Sequence, residues 1–246
     1  MTLELLILVT GTFLLAGFVK GVIGLGLPTV SLALLSVALG LPSAVQLMLA
    51  PSLVTNLWQA LRGRAFWNLC RRFWPLLVAS FVGTWVTYGS LLISHPRRMT
   101  ALLGAILVLY AANGLRNFLK LPQIRHEAIW SPMVGFVTGL LTGATGSMVL
   151  PFVPYLNALD LKRDTIVQMM GIFFTVSTLA MGVAIADHSR FQGDLVRVSV
   201  LAILPALLGM QGGQMLRARL SERAFRQCLF MGLFLVGVGL VAKGMA

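Results

Sequence analysis

The sequence predicts an all-α polytopic membrane protein made of two inverted repeats, each a broken, re-entrant helical hairpin followed by three transmembrane helices. Of its 246 residues, 58% are hydrophobic and 11% are charged, whereas soluble domains contain about 45–50% apolar and about 25% charged residues. Seven stretches without a charged residue are near or above the length that a membrane helix needs. These stretches are continuously apolar and do not alternate, which predicts helices and excludes a water-soluble globular domain.

The two halves of the chain carry the same signals in the same order. Gly17–Gly21 (GFVKG) recurs as Gly135–Gly139 (GFVTG), and each is followed by a glycine-rich break and a proline, Pro28 or Pro151. Further matches are Val45–Met48 with Val167–Met170, Pro75 with Pro205, and Gly114-Leu115 with Gly239-Leu240. Internal repeats of this kind are common in secondary transporters. We therefore divide one transmembrane domain, 1–246, into repeat one, 1–120, and repeat two, 128–246.

The helices follow from the apolar stretches and from the breaks between them. Pro28 suits the first turn of a helix, because its missing N–H has no partner at that position. In repeat one the predicted helices are Leu3–Val19 and Pro28–Leu39 around the break, then Ala44–Leu61, Phe73–Ile93 and Met99–Phe118. In repeat two they are Ser131–Thr142 and Met148–Ala158 around the break, then Thr165–Ala186, Leu195–Leu216 and Ala224–Lys243.

The basic residues decide between two ways of threading this chain. If each broken element crosses the membrane once, Lys and Arg divide 10 to 8 between the faces, with Lys20 inside a break left out. If each is a hairpin that returns to its starting side, they divide 13 to 5, which agrees with the positive-inside rule. Three crossings per half then orient the halves oppositely and place both termini outside the cytoplasm. The net charge of +12 thus reflects membrane orientation, and nucleic acid is not expected as a partner.

The broken elements are the candidate substrate site. Their pieces are short of, or barely equal to, a hydrocarbon core of about 30 Å, and non-helical backbone at that depth must be buried or line a cavity. We expect the breaks to meet near the midplane and the half-helices from Pro28 and near Ser147 to offer free N–H groups to an anion. The predicted substrate-binding residues are Lys20, Gly21, Gly24, Gly26, Pro28, Gln46, Gly139, Thr142, Gly143, Thr145, Gly146, Ser147 and Gln168.

Several of these residues have a structural alternative. Lys20 could extend to the membrane interface instead of contacting the anion, and glycines four apart, such as Gly139 and Gly143, also suit close helix packing. Gln46 and Gln168, at matched positions of the repeat, could serve only as interhelical hydrogen-bonding groups. All seven acidic residues fall at segment ends or in loops, which favours an anionic or neutral substrate over a cation.

At these motifs the sequence resembles the TauE/SafE family of sulfite and sulfonate exporter-like transporters. The resemblance rests on Gly17–Gly21 with Pro28, on Gly135–Pro151, and on the stretch from Pro205 to Ser221, and it covers nearly the whole chain. It implies a carrier of small anions, often sulfur oxyanions or organosulfonates, in the bacterial inner membrane.

Two other functions are alternatives to anion transport. A membrane scaffold without transport would not need two unwound segments. An intramembrane hydrolase built on Ser147 would need a nearby base, and no His or carboxylate falls inside a predicted membrane segment. We expect no catalytic residue, metal site or cofactor. The expected partners are a small anion, the lipid bilayer and, as an alternative to a monomer, a second copy of the chain in a homodimer.

Overall fold

The regular secondary structure is helical in the described part of a computed structural model. The described part covers residues 3–88, 95–116, 124, 126–217 and 221–245. The helices of the first half are α1 (Leu3–Ile23), α2 (Leu27–Leu39), α3 (Leu41–Leu61), α4 (Phe66–Thr87) and α5 (Pro96–Arg116). Those of the second half are α6 (Glu127–Thr145), α7 (Phe152–Asn157), α8 (Arg163–Asp187), α9 (Gly193–Leu201), α10 (Ile203–Leu216) and α11 (Glu222–Met245).

Six spans among the described residues are long and apolar enough to cross a membrane: α1, α5, α6, α8, α9 with α10, and α11. Large apolar side chains on these helices are exposed, among them Leu204 (64%) and Leu235 (66%), as expected for surfaces that face lipid. The prediction of an all-α polytopic membrane protein is confirmed. Helices α3 and α4 have the required length but are less apolar, because α3 carries polar residues such as Gln46 and Asn56, and α4 contains Arg71 and Arg72 in its second turn.

The fourth helix of each half differs most from its predicted bounds. Helix α4 begins at Phe66, seven residues before the predicted start, and includes a non-helical Phe73 two residues before Pro75. The span predicted as one helix from Leu195 is divided into α9 and α10 at Ala202, three residues before Pro205. Because proline cannot donate the helical hydrogen bond, each matched proline follows shortly after the interruption of its span. The predicted end of the first of these helices lies outside the described residues.

The second broken element also departs from its prediction. Helix α6 continues to Thr145, and the helix after the break covers only Phe152–Asn157, not Met148–Ala158. A cis peptide bond joins Leu150 to Pro151 immediately before it. The expectation of a half-helix starting near Ser147 is therefore wrong, and the backbone there is non-helical over several residues.

The described residues form two compact units, each of which takes helices from both halves of the sequence. Unit 1 comprises Met1–Ser52, Pro96–Asn117 and Phe191–Ala246, and its main packed pairs are α1 with α10 and α5 with α11. Unit 2 comprises Leu53–His95 and Phe118–Arg190, where α4 packs against both α6 and α8.

Glycines allow the closest of these helix contacts, and they do so at matched positions of the repeat. In unit 1, a Cβ atom on Gly17 would overlap the carbonyl oxygen of Ala206 in α10. In unit 2, a Cβ atom on Gly135 would overlap the carbonyl oxygen of Leu76 in α4. Gly17 matches Gly135 in the sequence repeat, and Ala206 and Leu76 each follow one of the matched prolines. The first helix of each half thus packs against the fourth helix of the other half in the same way.

The direction of two packed helices follows from which residues face each other. Gly104 of α5 faces Gly237 and Val241 of α11, whereas Gly244 near the end of α11 faces Arg97 and Ala101 near the start of α5. The two helices therefore run antiparallel. They are also matched elements of the two halves, since each is the last helix of its repeat.

Candidate functional site

Break one, Gly24–Gly26 between α1 and α2, belongs to unit 1 and turns on two glycines with positive φ. Gly24 has φ 88° and Gly26 has φ 114°, values that side chains with a Cβ rarely adopt. The N–H of Gly24 donates to the carbonyl oxygen of Lys20 at 2.7 Å, which ends α1. This geometry explains why glycine occupies both positions, and a ligand role for Gly24 and Gly26 stays a prediction.

The start of α2 is buried and uncapped by any side chain. Gly26 occupies the N-cap position without a side-chain hydrogen bond, and Pro28 lies in the first turn as predicted. Residues 26–30 are all buried. Since the first N–H groups of a helix have no intrahelical partner, this turn directs backbone donors and the positive end of the helix dipole into a buried region.

Lys20 lies in the last turn of α1, directly before break one. Its side chain is only 3% exposed, so it is buried in the protein instead of extending into solvent. Among the described residues it is the only Lys, Arg, Asp or Glu that is buried. A cation in the last turn of a helix is stabilised by the negative end of the helix dipole.

Break two, residues 146–151, belongs to unit 2 and is buried from Thr142 to Leu150. Gly146 has φ 75° and ends α6, with its N–H donating to the carbonyl oxygen of Thr142 at 2.6 Å. Left-handed glycine at this position is a common way to end a helix. The five residues that follow, 147–151, are non-helical and lead to the short α7.

Two predicted hydroxyl groups hold break two together from within. Thr142 Oγ1 donates toward the carbonyl oxygens of Thr138 and Ser147, at 2.7 and 3.1 Å. Thr145 Oγ1 donates to the carbonyl oxygen of Leu141 at 2.6 Å and accepts the backbone N–H of Ser147 at 3.2 Å. Since a hydroxyl has one proton to donate, both threonines already use theirs on the backbone.

The third hydroxyl, that of Ser147, has no hydrogen-bond partner in the structure. Ser147 is 3% exposed, and its Oγ atom is buried. Leaving a buried hydroxyl unsatisfied costs about 1–3 kcal/mol. Of the three hydroxyl residues predicted from the sequence at break two, Ser147 is thus the one whose donor is available to a ligand.

Three of the predicted glycines lie in helix contacts. A Cβ atom on Gly21 would overlap the carbonyl oxygen of Met210, and one on Gly139 or Gly143 would overlap that of Ser80 or Thr84. Their close packing against a neighbouring helix is the structural alternative considered above. A ligand role for these three glycines stays a prediction.

The matched glutamines make matched hydrogen bonds. Gln46 Oε1 accepts the backbone N–H of Gln192, the N-cap residue of α9, at 3.0 Å. Gln168 Oε1 accepts the backbone N–H of Ala65, the N-cap residue of α4, at 3.2 Å, and its Nε2 donates to the carbonyl oxygen of Ala60 at 2.8 Å. Each glutamine thus fixes the start of the fourth helix of the opposite repeat. Direct contact of either with substrate stays a prediction.

One buried hydroxyl was not among the predicted residues. Ser36 in α2 is fully buried, and its Oγ atom has no hydrogen-bond partner in the structure. A single serine in an apolar helix carries no motif, and serines within such helices usually bond to the preceding turn, as Ser31 does to Leu27 at 2.7 Å. The sequence does not distinguish Ser36 from Ser31, because only the packing of the folded chain leaves the Ser36 hydroxyl without a partner.

These features define a polytopic helical membrane protein with two buried helix interruptions. The interruptions contain hydrogen-bond donors and no acidic residue. The chain belongs to the sulfite exporter TauE/SafE family of membrane transporters, whose family profile matches residues 9–240. The resemblance inferred from the glycine motifs is therefore confirmed, and the match covers nearly the whole chain. Comparison with curated proteins and with solved structures gives no match.

Proposed function

We propose that this protein carries a small anion, a sulfur oxyanion or an organosulfonate, across the bacterial inner membrane by alternating access, with export favoured. The observation that carries the proposal is the buried Ser147 hydroxyl, which has no hydrogen-bond partner in a break of the kind that transporters use for substrate. Membership of a sulfite exporter family supports the class of substrate.

The proposed ligand groups are donors. In break two, Ser147 supplies a hydroxyl proton. In break one, the uncapped start of α2 supplies backbone N–H groups after Pro28, and Lys20 supplies a positive charge. Donors of these kinds replace the water around an anion. Gly24, Gly26 and Gly146 supply the left-handed turns that bend the backbone at the breaks.

Burial of charge favours an anion over a cation. Within the described residues no Asp or Glu is buried, while Lys20 is. A site for a metal ion or an organic cation requires a buried negative partner, since an uncompensated charge in the membrane is costly. The same balance supports an anionic substrate over a proton relay built on carboxylates.

The membrane potential supplies the proposed direction. Moving one negative charge out of a negative cytoplasm is favoured by about 2.3 kcal/mol per 100 mV. Export can therefore proceed without a coupling ion. In inside-out vesicles, accumulation of sulfite corresponds to export, and its dependence on protons would show that export is coupled to an ion. In right-side-out vesicles, accumulation of sulfite corresponds to uptake and would overturn the proposed direction.

The proposed topology is an inverted repeat with both termini outside the cytoplasm. Antiparallel packing of α5 and α11 supports it, because the last helices of two inverted halves run in opposite directions. A 13 to 5 division of Lys and Arg supports the same threading. A reporter fusion that is active only in the cytoplasm should be silent at either terminus, and a cytoplasmic signal at either one would overturn this topology.

Thermal stabilisation of the purified protein tests the substrate class. A ligand that binds only the folded state raises the unfolding temperature, so sulfite, thiosulfate or sulfoacetate should stabilise the wild type more than acetate at equal ionic strength. Ser147→Ala should reduce this increase, because binding at break two is weakened. Ser177→Ala, which removes another buried hydroxyl of unit 2, should keep it.

The same measurement separates transport from the alternatives. A scaffold protein would show no anion-dependent stabilisation in wild type or variants. If sulfur anions stabilise the wild type and Ser147→Ala equally, and sulfite efflux from loaded vesicles is also unchanged in that variant, the assignment of break two as the substrate site is wrong.

A further inference from the structure

We propose a second oxyanion-binding site in unit 1, in a cavity of about 390 Å³ where the end of α2, the start of α5 and the last turn of α11 meet. It involves none of the residues of either break. Two cationic side chains, Arg97 and Lys243, line it, and so does the buried hydroxyl residue Ser36.

The cations provide the charge of the site. Arg97 lies in the first turn of α5, and Lys243 lies in the last turn of α11. Of the described residues that line the cavity, none is acidic. Lys243 Nζ donates to the carbonyl oxygen of Val37 at 2.8 Å, which positions the ammonium group at the end of α2 and leaves two of its three protons for a ligand.

The start of α5 provides backbone donors. Pro96 opens this helix of 21 residues and lines the cavity together with Arg97 and Thr100. The first N–H groups of the helix have no intrahelical partner, and the positive end of the helix dipole favours an anion at this position. Thr100 Oγ1 donates its proton to the carbonyl oxygen of Pro96 at 2.8 Å, so this hydroxyl is not one of the donors of the site.

Ser36 is the independent sign that a ligand belongs here. Its side chain is 0% exposed, its Oγ atom has no hydrogen-bond partner in the structure, and it lines the cavity. A buried hydroxyl without a partner is costly. An oxyanion in the cavity would accept its proton and remove that cost.

A glycine brings the helix ends that carry the two cations close together. A Cβ atom on Gly244 would come within 2.7 Å of the carbonyl oxygen of Arg97 and of Ala101 Cβ. Only glycine therefore allows the last turn of α11 to lie this close to the first turn of α5. Because Lys243 is the neighbour of Gly244, this approach brings the backbone of Lys243 close to the start of α5.

The chemistry fits a group with several negatively charged oxygens. An arginine, an ammonium, helix N–H groups and a hydroxyl together match a sulfite, a sulfonate or the phosphate of a lipid headgroup. Arg97 and Lys243 are among the five cations that the sequence places on the non-cytoplasmic face. Where the ligand is the transported anion, and this step rests on the proposed function, the cavity is a release site on the outer face.

Calorimetric titration of the purified full-length protein tests the site, with sodium sulfite in one arm and a short-chain phosphatidylglycerol in the other. We expect Arg97→Gln/Lys243→Gln to weaken binding of at least one probe by about tenfold or more, because charge-assisted hydrogen bonds are lost. Arg97→Gln alone, which leaves the bond from Lys243 to Val37 intact, should act in the same direction. Ser36→Ala should weaken the same probe without changing the charge.

Arg98→Gln is the matched control, because it removes a neighbouring charge of α5 that does not line the cavity. The proposal is overturned if neither probe binds, if the double variant binds both probes as the wild type does, or if Arg98→Gln weakens binding equally. Ser147→Ala separates the two sites. It should leave the binding that depends on Arg97 and Lys243 unchanged. A result that excludes break two as the substrate site therefore does not exclude the second site.

Discussion

The side-chain carbonyl oxygen of Gln46 accepts the backbone N–H of Gln192 at 3.0 Å, so a residue of the first repeat caps a helix of the second. In the second repeat, the side-chain carbonyl oxygen of Gln168 accepts the backbone N–H of Ala65, at the start of α4 in the first repeat. The two glutamines at matched positions therefore play the same structural role, each toward a helix of the other repeat. Both bonds satisfy a backbone donor at a helix start, where intrahelical partners are missing.

Replacing these glutamines should lower stability unequally. Gln46→Met removes one hydrogen bond and should cost about 1–2 kcal/mol, whereas Gln168→Met removes two and should cost more. Gln211→Met, at an exposed position of α10, is the control and should be close to neutral. The free energy of unfolding in mixed detergent micelles gives the measurement.

Transport in the same variants separates structure from substrate contact. A purely structural glutamine loses transport only in proportion to the folded protein recovered. Normal stability with abolished sulfite efflux in Gln46→Met would instead support the direct substrate contact predicted from the sequence.

Alanine at the packing glycines should separate helices. In Gly139→Ala, the new methyl group would meet the backbone of α4 at Ser80, and such overpacking costs about 1–3 kcal/mol. Gly21→Ala should behave alike against α10. Gly182→Ala has open space around it and should be neutral or slightly stabilising, because alanine favours the helix over glycine. Equal melting temperatures for Gly139→Ala and Gly182→Ala would contradict the packing described for unit 2.

Ser147→Ala should separate stability from ligand binding. Without ligand, the variant should be as stable as the wild type or more so, because removing an unsatisfied buried hydroxyl removes its desolvation cost. With sulfite present, the wild type should gain more stability than the variant. Melting curves of both proteins with and without sulfite test this. A large loss of stability in the ligand-free variant would show that the hydroxyl has a structural role.

Cysteine cross-links should report the antiparallel register of α5 and α11. In a background with Cys70→Ser and Cys228→Ser, the pairs Leu107→Cys/Gly237→Cys and Ala101→Cys/Gly244→Cys should both oxidise. The added Cβ atoms would start 3.1 and 2.7 Å from their partner Cβ atoms, so a separation of the helices by about 1 Å brings both pairs to the 3.5–4.5 Å of a disulfide. Parallel helices could bring one of these pairs together but not both. Ala101→Cys/Gly237→Cys is the mismatched control, about 9 Å out of register. Mass spectrometry of the digested protein identifies each bond.

Much of the fold could be predicted from sequence because apolar length and glycine breaks are local signals. The bounds of α2, predicted as Pro28–Leu39, differ from the structure by one residue. The start of α4 could not be predicted in this way, because Arg71 and Arg72 look like a loop between spans but lie on a helix that extends past the apolar stretch. Arg72 is held there by Glu127, whose Oε1 accepts its Nε–H at 2.8 Å, a contact between distant parts of the sequence.

The candidate site was predictable in its location but not in its detail. Break two was found from Gly143–Ser147 alone, yet the sequence treats Thr142, Thr145 and Ser147 as equivalent hydroxyl residues. Their difference depends on which backbone carbonyl lies within reach after the chain turns at Gly146. Ser36 was missed for the same reason, since its missing partner is a property of packing.

The exchange of helices between the two halves also determines the order in which the two units can pack during synthesis. All of unit 2 has been synthesised once Arg190 is added, so α4 and α6 can pack while synthesis continues. The glycine face of α1 must wait for α10, which is made later. Until then, α1 lies in the bilayer with α10 still untranslated, and a premature stop before Ala206 leaves α1 without this partner.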